Sequence, residues 1–143
     1  MRATSCIAIA IGAALACAGA TAQPRDGLRP SDIEARILAA GYVRVDDLKL
    51  DGGLWEADAR TRDGRWVDVR VHPESGKVYV ETTVSRLEPQ DVEDRLAEAG
   101  YSRIHDVEFD DGVWKADAIS WAGVRVEVVV DPDDGRVVSE HED

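Results

Sequence analysis

Helical and strand-like patterns of apolar residues alternate along the chain from residue 28 onward. Helical spacing comes first, with apolar positions three and four residues apart and a glycine directly after them: Ile33, Ile37, Ala40, Gly41. A capping box at Ser31–Glu34 precedes this stripe, so we expect a helix over residues 31–40. The same stripe recurs later and predicts a second helix over residues 90–99, with a weaker cap because Gln90 replaces the serine.

Four strand-like segments follow each helix and are separated by turn-forming residues. The first spans about residues 42–50, and its apolar parity changes near Asp46, which predicts a bulge. The next two, over 54–60 and 65–71, alternate apolar and polar residues, and the last is expected over 78–82. The predicted fold is α+β, with each unit built as one helix packed on a four-stranded antiparallel β-meander.

The hairpin between the second and third strands has one register that buries its apolar residues. A three-residue loop with a left-handed Gly64 pairs Ala59 with Val67 and places the alanines and valines on the helix side. The same register places Asp58 directly opposite Asp68 on the other face.

The second copy keeps this like-charge arrangement, with Asp117 opposite Glu127. Directly opposed carboxylates destabilise a sheet, so each pair needs compensation. Arg70 lies diagonally within reach of Asp58 and is one candidate; a bound cation, or a lysine or arginine of a partner, is the other. Asp58, Asp68, Asp117 and Glu127 are therefore candidate partner-binding residues.

A tandem duplication covers almost all of the chain after its N-terminal segment. A constant offset of 59 residues superposes 28–81 on 87–140 without a gap, with about 24 of the 54 aligned positions identical. We assign one repeat to residues 28–82 and the other to 87–140. Units of about 55 residues are marginal alone, so the two repeats are expected to share an interface or join their sheets.

The order of elements and three short motifs resemble the PepSY domain. The motifs are Gly-Tyr after the helix, Trp-x-Ala in the second strand, and a final Asp-x-x-x-Gly-x-Val turn at Asp131–Val137. In the first repeat, His72 stands where this turn has its aspartate. The resemblance implies a non-catalytic inhibitory or protein-binding role in the bacterial envelope or in a peptidase propeptide. The tandem helix-plus-sheet arrangement is also similar to the fold of the β-lactamase inhibitor proteins, but a fold does not carry function with it.

The N-terminus has the pattern of a secretory signal. A basic start at Arg2, an apolar stretch over 7–16 and small residues at 20–22 predict a signal peptide over 1–22, and hence a periplasmic or secreted protein. The apolar stretch is too short to span a bilayer. Cys6 and Cys17 both lie inside the predicted signal peptide, so the mature chain would hold no thiol. Lipidation at Cys17 is the alternative interpretation.

Composition and charge limit the classes of molecule that this protein is expected to bind. The chain is 44% hydrophobic and 32% charged, with a formal net charge of −12, which is typical of a folded, acidic, water-soluble protein. Such a field repels phosphate, so nucleic acid is not an expected partner. The partner expected is a protein, with a secreted peptidase or an envelope protein as examples, and the oligomeric state is left open.

No catalytic constellation, cofactor motif or metal-ligand spacing stands out in the sequence. The three histidines, at 72, 105 and 141, have no motif partner. The segment 131–135 resembles a calcium loop, but Gly135 occupies its fifth position, where an oxygen ligand is needed, so a plain turn is expected. We therefore predict a protein that is not an enzyme and has neither a cofactor nor a metal site.

The four tryptophans divide into two groups. Trp55 and Trp114 occupy equivalent positions and are expected to be buried under the helices, together with Val69 and Val128. Trp66 and Trp121 have no equivalents in the other repeat, and both are candidate partner-binding residues. The leading hypothesis is a non-enzymatic secreted or periplasmic binding module that inhibits or chaperones a protease or other envelope protein through its helix-free sheet face. The alternative is an envelope protein that binds divalent cations weakly through its carboxylates.

Overall fold

The computed structural model describes residues 27–143, so the predicted signal peptide and both cysteines lie outside the described residues. Two helices and eight strands follow one another in the predicted order. The first repeat comprises α1 (Pro30–Ala39), β1 (Arg44–Asp51), β2 (Leu54–Arg60), β3 (Trp66–Val71) and β4 (Val78–Val80). The second repeat comprises α2 (Pro89–Glu98), β5 (Ser102–Asp110), β6 (Val113–Ile119), β7 (Arg125–Val130) and β8 (Val137–Glu142).

Each repeat is one helix on one antiparallel meander, as predicted. The strands follow chain order in two separate four-stranded sheets, β1-β2-β3-β4 and β5-β6-β7-β8. The sheets are therefore not joined into one. Within residues 27–143, neither helix combines the length and the hydrophobicity that a membrane crossing requires.

Both helices begin one residue earlier than predicted, and Ser31 is not the cap. Pro30 takes the first helical position, where its fixed φ and missing N–H carry no cost, so Arg29 becomes the N-cap residue. A carboxylate oxygen of Asp32 accepts the Arg29 backbone N–H at 3.1 Å. The second helix is capped in the same way, with Glu88 and Asp91 in the equivalent places. The two caps are thus alike, and the weaker second cap predicted from Gln90 is wrong.

The predicted strand registers are confirmed. Asp58 pairs with Asp68, and Asp117 pairs with Glu127. The register shifts between Asp46 and Lys49, which confirms the bulge in β1. Three-residue loops join the second and third strands of each sheet, with Gly64 at a φ of 88°.

Each helix covers its own sheet and closes a separate apolar core. Val69, Val128 and Trp114 are buried as predicted, with 5% of Trp114 exposed. Trp55 is only half-buried, so the prediction of full burial is wrong for that residue. The difference has a visible cause, because Ser85 in the segment joining the repeats accepts a hydrogen bond from the Trp114 indole N–H at 2.8 Å. That segment therefore lies over the second indole.

The two repeats meet through the helix-free faces of their sheets, meaning the face of each sheet opposite its helix. A third apolar cluster lies there and draws on both repeats: Leu54, Tyr79, Val113, Val129, Val138. A shared interface was predicted and is confirmed. The other repeat covers part of the helix-free face that the sequence suggested as the partner-binding surface.

A pseudo-twofold relation connects the two sides of this interface. The β1–β2 turn at Gly53 packs on Ser139 of β8, and the β5–β6 turn at Gly112 packs on Val80 of β4. Both pairs are related by the same 59-residue offset as the repeats themselves. Each repeat therefore presents the same turn to the same strand of its neighbour, as in an isologous contact.

Candidate functional site

A partly buried ionic network connects the two repeats at one side of their interface. The ammonium of Lys77 contacts both carboxylate oxygens of Asp131, at 2.9 and 2.7 Å, and one of Asp133, at 2.7 Å. The hydroxyl of Tyr79, whose side chain is buried, donates to Asp131 at 2.8 Å. Burial alone would raise the pKa of Asp131, but the Lys77 ammonium and the Asp133 backbone N–H lower it below its usual value. The aspartate is thus held ionised inside the interface.

This network explains why the Asp131 turn differs from its counterpart. In the first repeat, His72 Nδ1 accepts the backbone N–H groups of Glu74 and Ser75, so the imidazole closes the turn that an aspartate closes in the second. Asp131 also contacts a cation of the neighbouring repeat, Lys77, whereas His72 makes no such contact within residues 27–143. The backbone N–H of Gly135 donates to the Asp131 carbonyl oxygen, so residues 131–135 form the turn that the sequence predicts.

Tyr79→Phe is expected to lower the free energy of unfolding by about 1.5–3 kcal/mol, because it removes a hydrogen bond to an ionised carboxylate and keeps the buried ring. Chemical denaturation measures the change. Tyr42→Phe is the matched control, since the Tyr42 hydroxyl makes no hydrogen bond within the described residues. Equal losses in the two variants would contradict the role given to the Tyr79 hydroxyl.

An acidic row crosses the helix-free face of the first sheet. Asp46, Asp58 and Asp68 are direct neighbours on β1, β2 and β3. Asp46 pairs with Arg44 at 3.0 Å. Within residues 27–143, neither Asp58 nor Asp68 forms a salt bridge with a lysine or arginine.

The arginine expected to compensate Asp58 is engaged elsewhere. Arg70 contacts Glu56 at 3.1 Å and Asp111 of the second repeat at 2.9 Å. Arg70 therefore does not neutralise the like-charge pair Asp58–Asp68, as the sequence had suggested it could. Asp68 instead raises the pKa of Asp58, through a shared hydrogen bond and through repulsion between the two charges.

A cleft of about 740 Å³ opens above this row. Its lining includes five carboxylates and the engaged arginine: Asp47, Glu56, Asp58, Asp68, Asp111, Arg70. Asp111 comes from the second repeat, so both repeats build the cleft. We call it the acidic cleft.

Asp68→Asn is expected to stabilise the fold at neutral pH, because it removes the repulsion that raises the pKa of Asp58. A raised carboxyl pKa means that the folded state binds its proton more tightly than the unfolded chain does. The protonated Asp58–Asp68 pair therefore contributes its full stabilisation of the folded state below about pH 3.9, the ordinary pKa of an aspartate. That contribution is lost as the pH rises through the pKa of Asp58 in the folded protein. The gain from Asp68→Asn should be largest near pH 7 and vanish in acid.

Denaturation midpoints of Asp68→Asn and of the unsubstituted protein, recorded near pH 7 and again below about pH 3.9, measure this gain in stability. The control is Asp94→Asn on α2, which also removes one negative charge from an acidic protein. An equal gain in both variants would mean that net charge, and not the Asp58–Asp68 contact, is responsible.

The second sheet carries a different row at the same place. His105, Asp117, Glu127 and His141 are direct neighbours on β5, β6, β7 and β8. His105 Nδ1 lies 3.8 Å from Asp117, and His141 Nε2 lies 3.6 Å from Glu127. Sequence reasoning found no partner for either histidine, because each partner lies on an adjacent strand and not at a fixed spacing along the chain. The hairpin register was the signal that could have joined them.

The two unmatched tryptophans lie at different places. Trp66 is 47% exposed on the helix-free face of β3, two residues from Asp68, with the guanidinium groups of Arg44 and Arg60 at 5.8 and 6.0 Å from its ring centre. Trp121 is 86% exposed at the tip of the β6–β7 loop. Trp66 therefore shares a face with Asp58 and Asp68, whereas Trp121 stands apart on its loop.

A family model described as "Peptidase propeptide and YPEB domain" matches residues 2–82 and again residues 83–141. The chain belongs to this family, PepSY. It carries two tandem PepSY copies. Searches of curated proteins and of solved structures gave no match.

The PepSY assignment agrees with the turn motif that first indicated it. The aspartate of that turn, Asp131, anchors the second PepSY copy to Lys77 and Tyr79 of the first. In the first copy, His72 stands at the place of this aspartate and keeps the turn closed.

Proposed function

We propose that this protein is a non-enzymatic PepSY module, exported to the periplasm or secreted, that binds a secreted peptidase or another envelope protein and inhibits or chaperones it. The family supports a role of the peptidase-propeptide type. The observation that carries the proposal is the uncompensated Asp58–Asp68 pair in the acidic cleft.

The cleft fits a partner segment that presents lysine or arginine. An ammonium or guanidinium group placed between Asp58 and Asp68 removes the repulsion that the fold leaves in place, and Trp66 offers an apolar ring on the same face. The second-sheet pair of Asp117 and Glu127 has histidines at its flanks and no lysine or arginine partner within residues 27–143. Trp121 provides a separate exposed contact on its loop.

A photo-crosslinking amino acid at position 66 tests this surface. The exported chain is irradiated together with the exported proteins of its host, and the control carries the same group at Leu38, which is 41% exposed on α1. We expect an adduct at 66 and none at 38. High salt and the double variant Asp58→Asn/Asp68→Asn should both abolish it, because they screen or remove the charges.

The captured protein is then purified and, if it is a peptidase, assayed with and without the chain. Inhibition, or a higher yield of active partner, supports the proposal. Equal adducts at 66 and 38, or an adduct that survives the double variant, would contradict the acidic cleft as the binding surface.

A further inference from the structure

The second-sheet row brings together the ligand types of a metal site. In the first sheet the row is made of aspartates, whereas in the second His105 replaces the first of them and faces Asp117. Imidazole nitrogen and carboxylate oxygen are ligands of Zn²⁺ and of other divalent transition metals.

A distortion of β5 adds a third ligand. The register shifts on both sides of His105, and Asp106 adopts a φ of 50°. In a regular strand, Asp106 would point to the opposite face of the sheet. Here its carboxylate lies 2.9 Å from His105 Nδ1.

One ion can be reached by all three side chains. One ligand atom from each of His105, Asp106 and Asp117 lies within 4.8 Å of the other two. Zn²⁺ holds nitrogen and oxygen ligands at about 2.0–2.2 Å, so small side-chain rotations bring the three atoms to a common centre. His105 and Asp106 are exposed, so these rotations require no repacking.

Within residues 27–143, no lysine or arginine forms a salt bridge with Asp106 or Asp117. Among the described residues, Asp106 and Asp117 form salt bridges with His105 alone. The Asp131 turn looked more like a cation site in the sequence, but Lys77 already fills it. The two places thus differ in whether a cation from the protein itself is present.

We propose that His105, Asp106 and Asp117 form a binding site for a divalent transition-metal ion such as Zn²⁺, with the remaining coordination positions open to water or to a ligand from a bound partner. The site is separate from the acidic cleft, because none of its three residues lines that cleft. It also extends the weak binding by carboxylates alone that the sequence suggested, because it includes an imidazole.

Histidine ring NMR tests the site directly. Zn²⁺ is titrated into the untagged full chain labelled with ¹⁵N at histidine, and His72, whose Nδ1 already accepts two backbone N–H groups, serves as the internal reference. We expect the ¹⁵N chemical shifts of the His105 ring to have changed once one equivalent of Zn²⁺ has been added. Asp106→Asn and Asp117→Asn should each weaken the binding by about tenfold or more, while Asp94→Asn leaves it unchanged.

Backbone amide spectra recorded without metal show whether each variant remains folded. Ring nitrogens of His105 that do not move at equimolar Zn²⁺ would overturn the proposal. The proposal would also be overturned if both aspartate variants bound Zn²⁺ at His105 as tightly as the unsubstituted protein does, because the ion would then lie elsewhere.

Discussion

Replacing Trp114 by alanine is expected to lower the free energy of unfolding by about 3–5 kcal/mol. The indole is buried under α2, stacks at a tilt against Phe109 with ring centres 5.2 Å apart, and donates its N–H to Ser85. The substitution therefore leaves a cavity and removes a hydrogen bond that fastens the segment joining the repeats. Urea denaturation followed by circular dichroism measures the loss.

Substitutions of two other tryptophans provide comparisons for the stability loss of Trp114→Ala. Trp55→Ala should cost less than Trp114→Ala, because part of the Trp55 side chain stays in water in the folded protein. Trp121→Ala should change stability by no more than about 0.5 kcal/mol, since its side chain is 86% exposed. Similar losses at Trp114 and Trp121 would show that the second core is not packed as described.

Replacing Gly112 by alanine is expected to destabilise the protein by about 2–5 kcal/mol, from backbone strain and overpacking together. Gly112 has a φ of 81°, and a Cβ atom added there would lie 2.3 Å from the backbone oxygen of Val80. That oxygen belongs to the backbone of β4 and cannot move aside as a flexible side chain could. The repeats would have to separate at this turn.

Gly123→Ala is the matched control, because it separates strain from contact. Gly123 has almost the same φ, 80°, but a Cβ atom there meets nothing within 4 Å. Its substitution should cost only the strain of a left-handed alanine, about 1–2 kcal/mol. Losses of equal size at the two glycines would mean that the turn at 112 does not press on β4.

Features that depend on local pattern were predictable from the sequence. The hairpin register followed from the rule that alanines and valines share one face, and it correctly placed Asp58 opposite Asp68. The helices followed from apolar spacing. Their caps did not, because Pro30 competes with Ser31 for the first turn, and its restricted φ decides the outcome.

Features that depend on contact between the repeats were not predictable. Arg70 was expected near Asp58, but Asp111 of the other repeat holds it. Trp55 and Trp114 are equivalent in sequence, yet Ser85 of the segment joining the repeats accepts a hydrogen bond from Trp114, and Trp55 makes no such bond within residues 27–143. In each case the deciding neighbour is distant along the chain, and no periodicity or short motif identifies it.

The pseudo-twofold relation between the repeats is the arrangement of a homodimer whose two subunits have become one polypeptide. Duplication and fusion of a gene for a single self-pairing unit would produce it, with Gly53 and Gly112 as the retained contact. Fusion also allows the halves to diverge, since a change on one side is no longer copied to the other. The contact of Lys77 with Asp131 is one such difference between the halves. Another is His105 of the second repeat, which stands where the first repeat has Asp46.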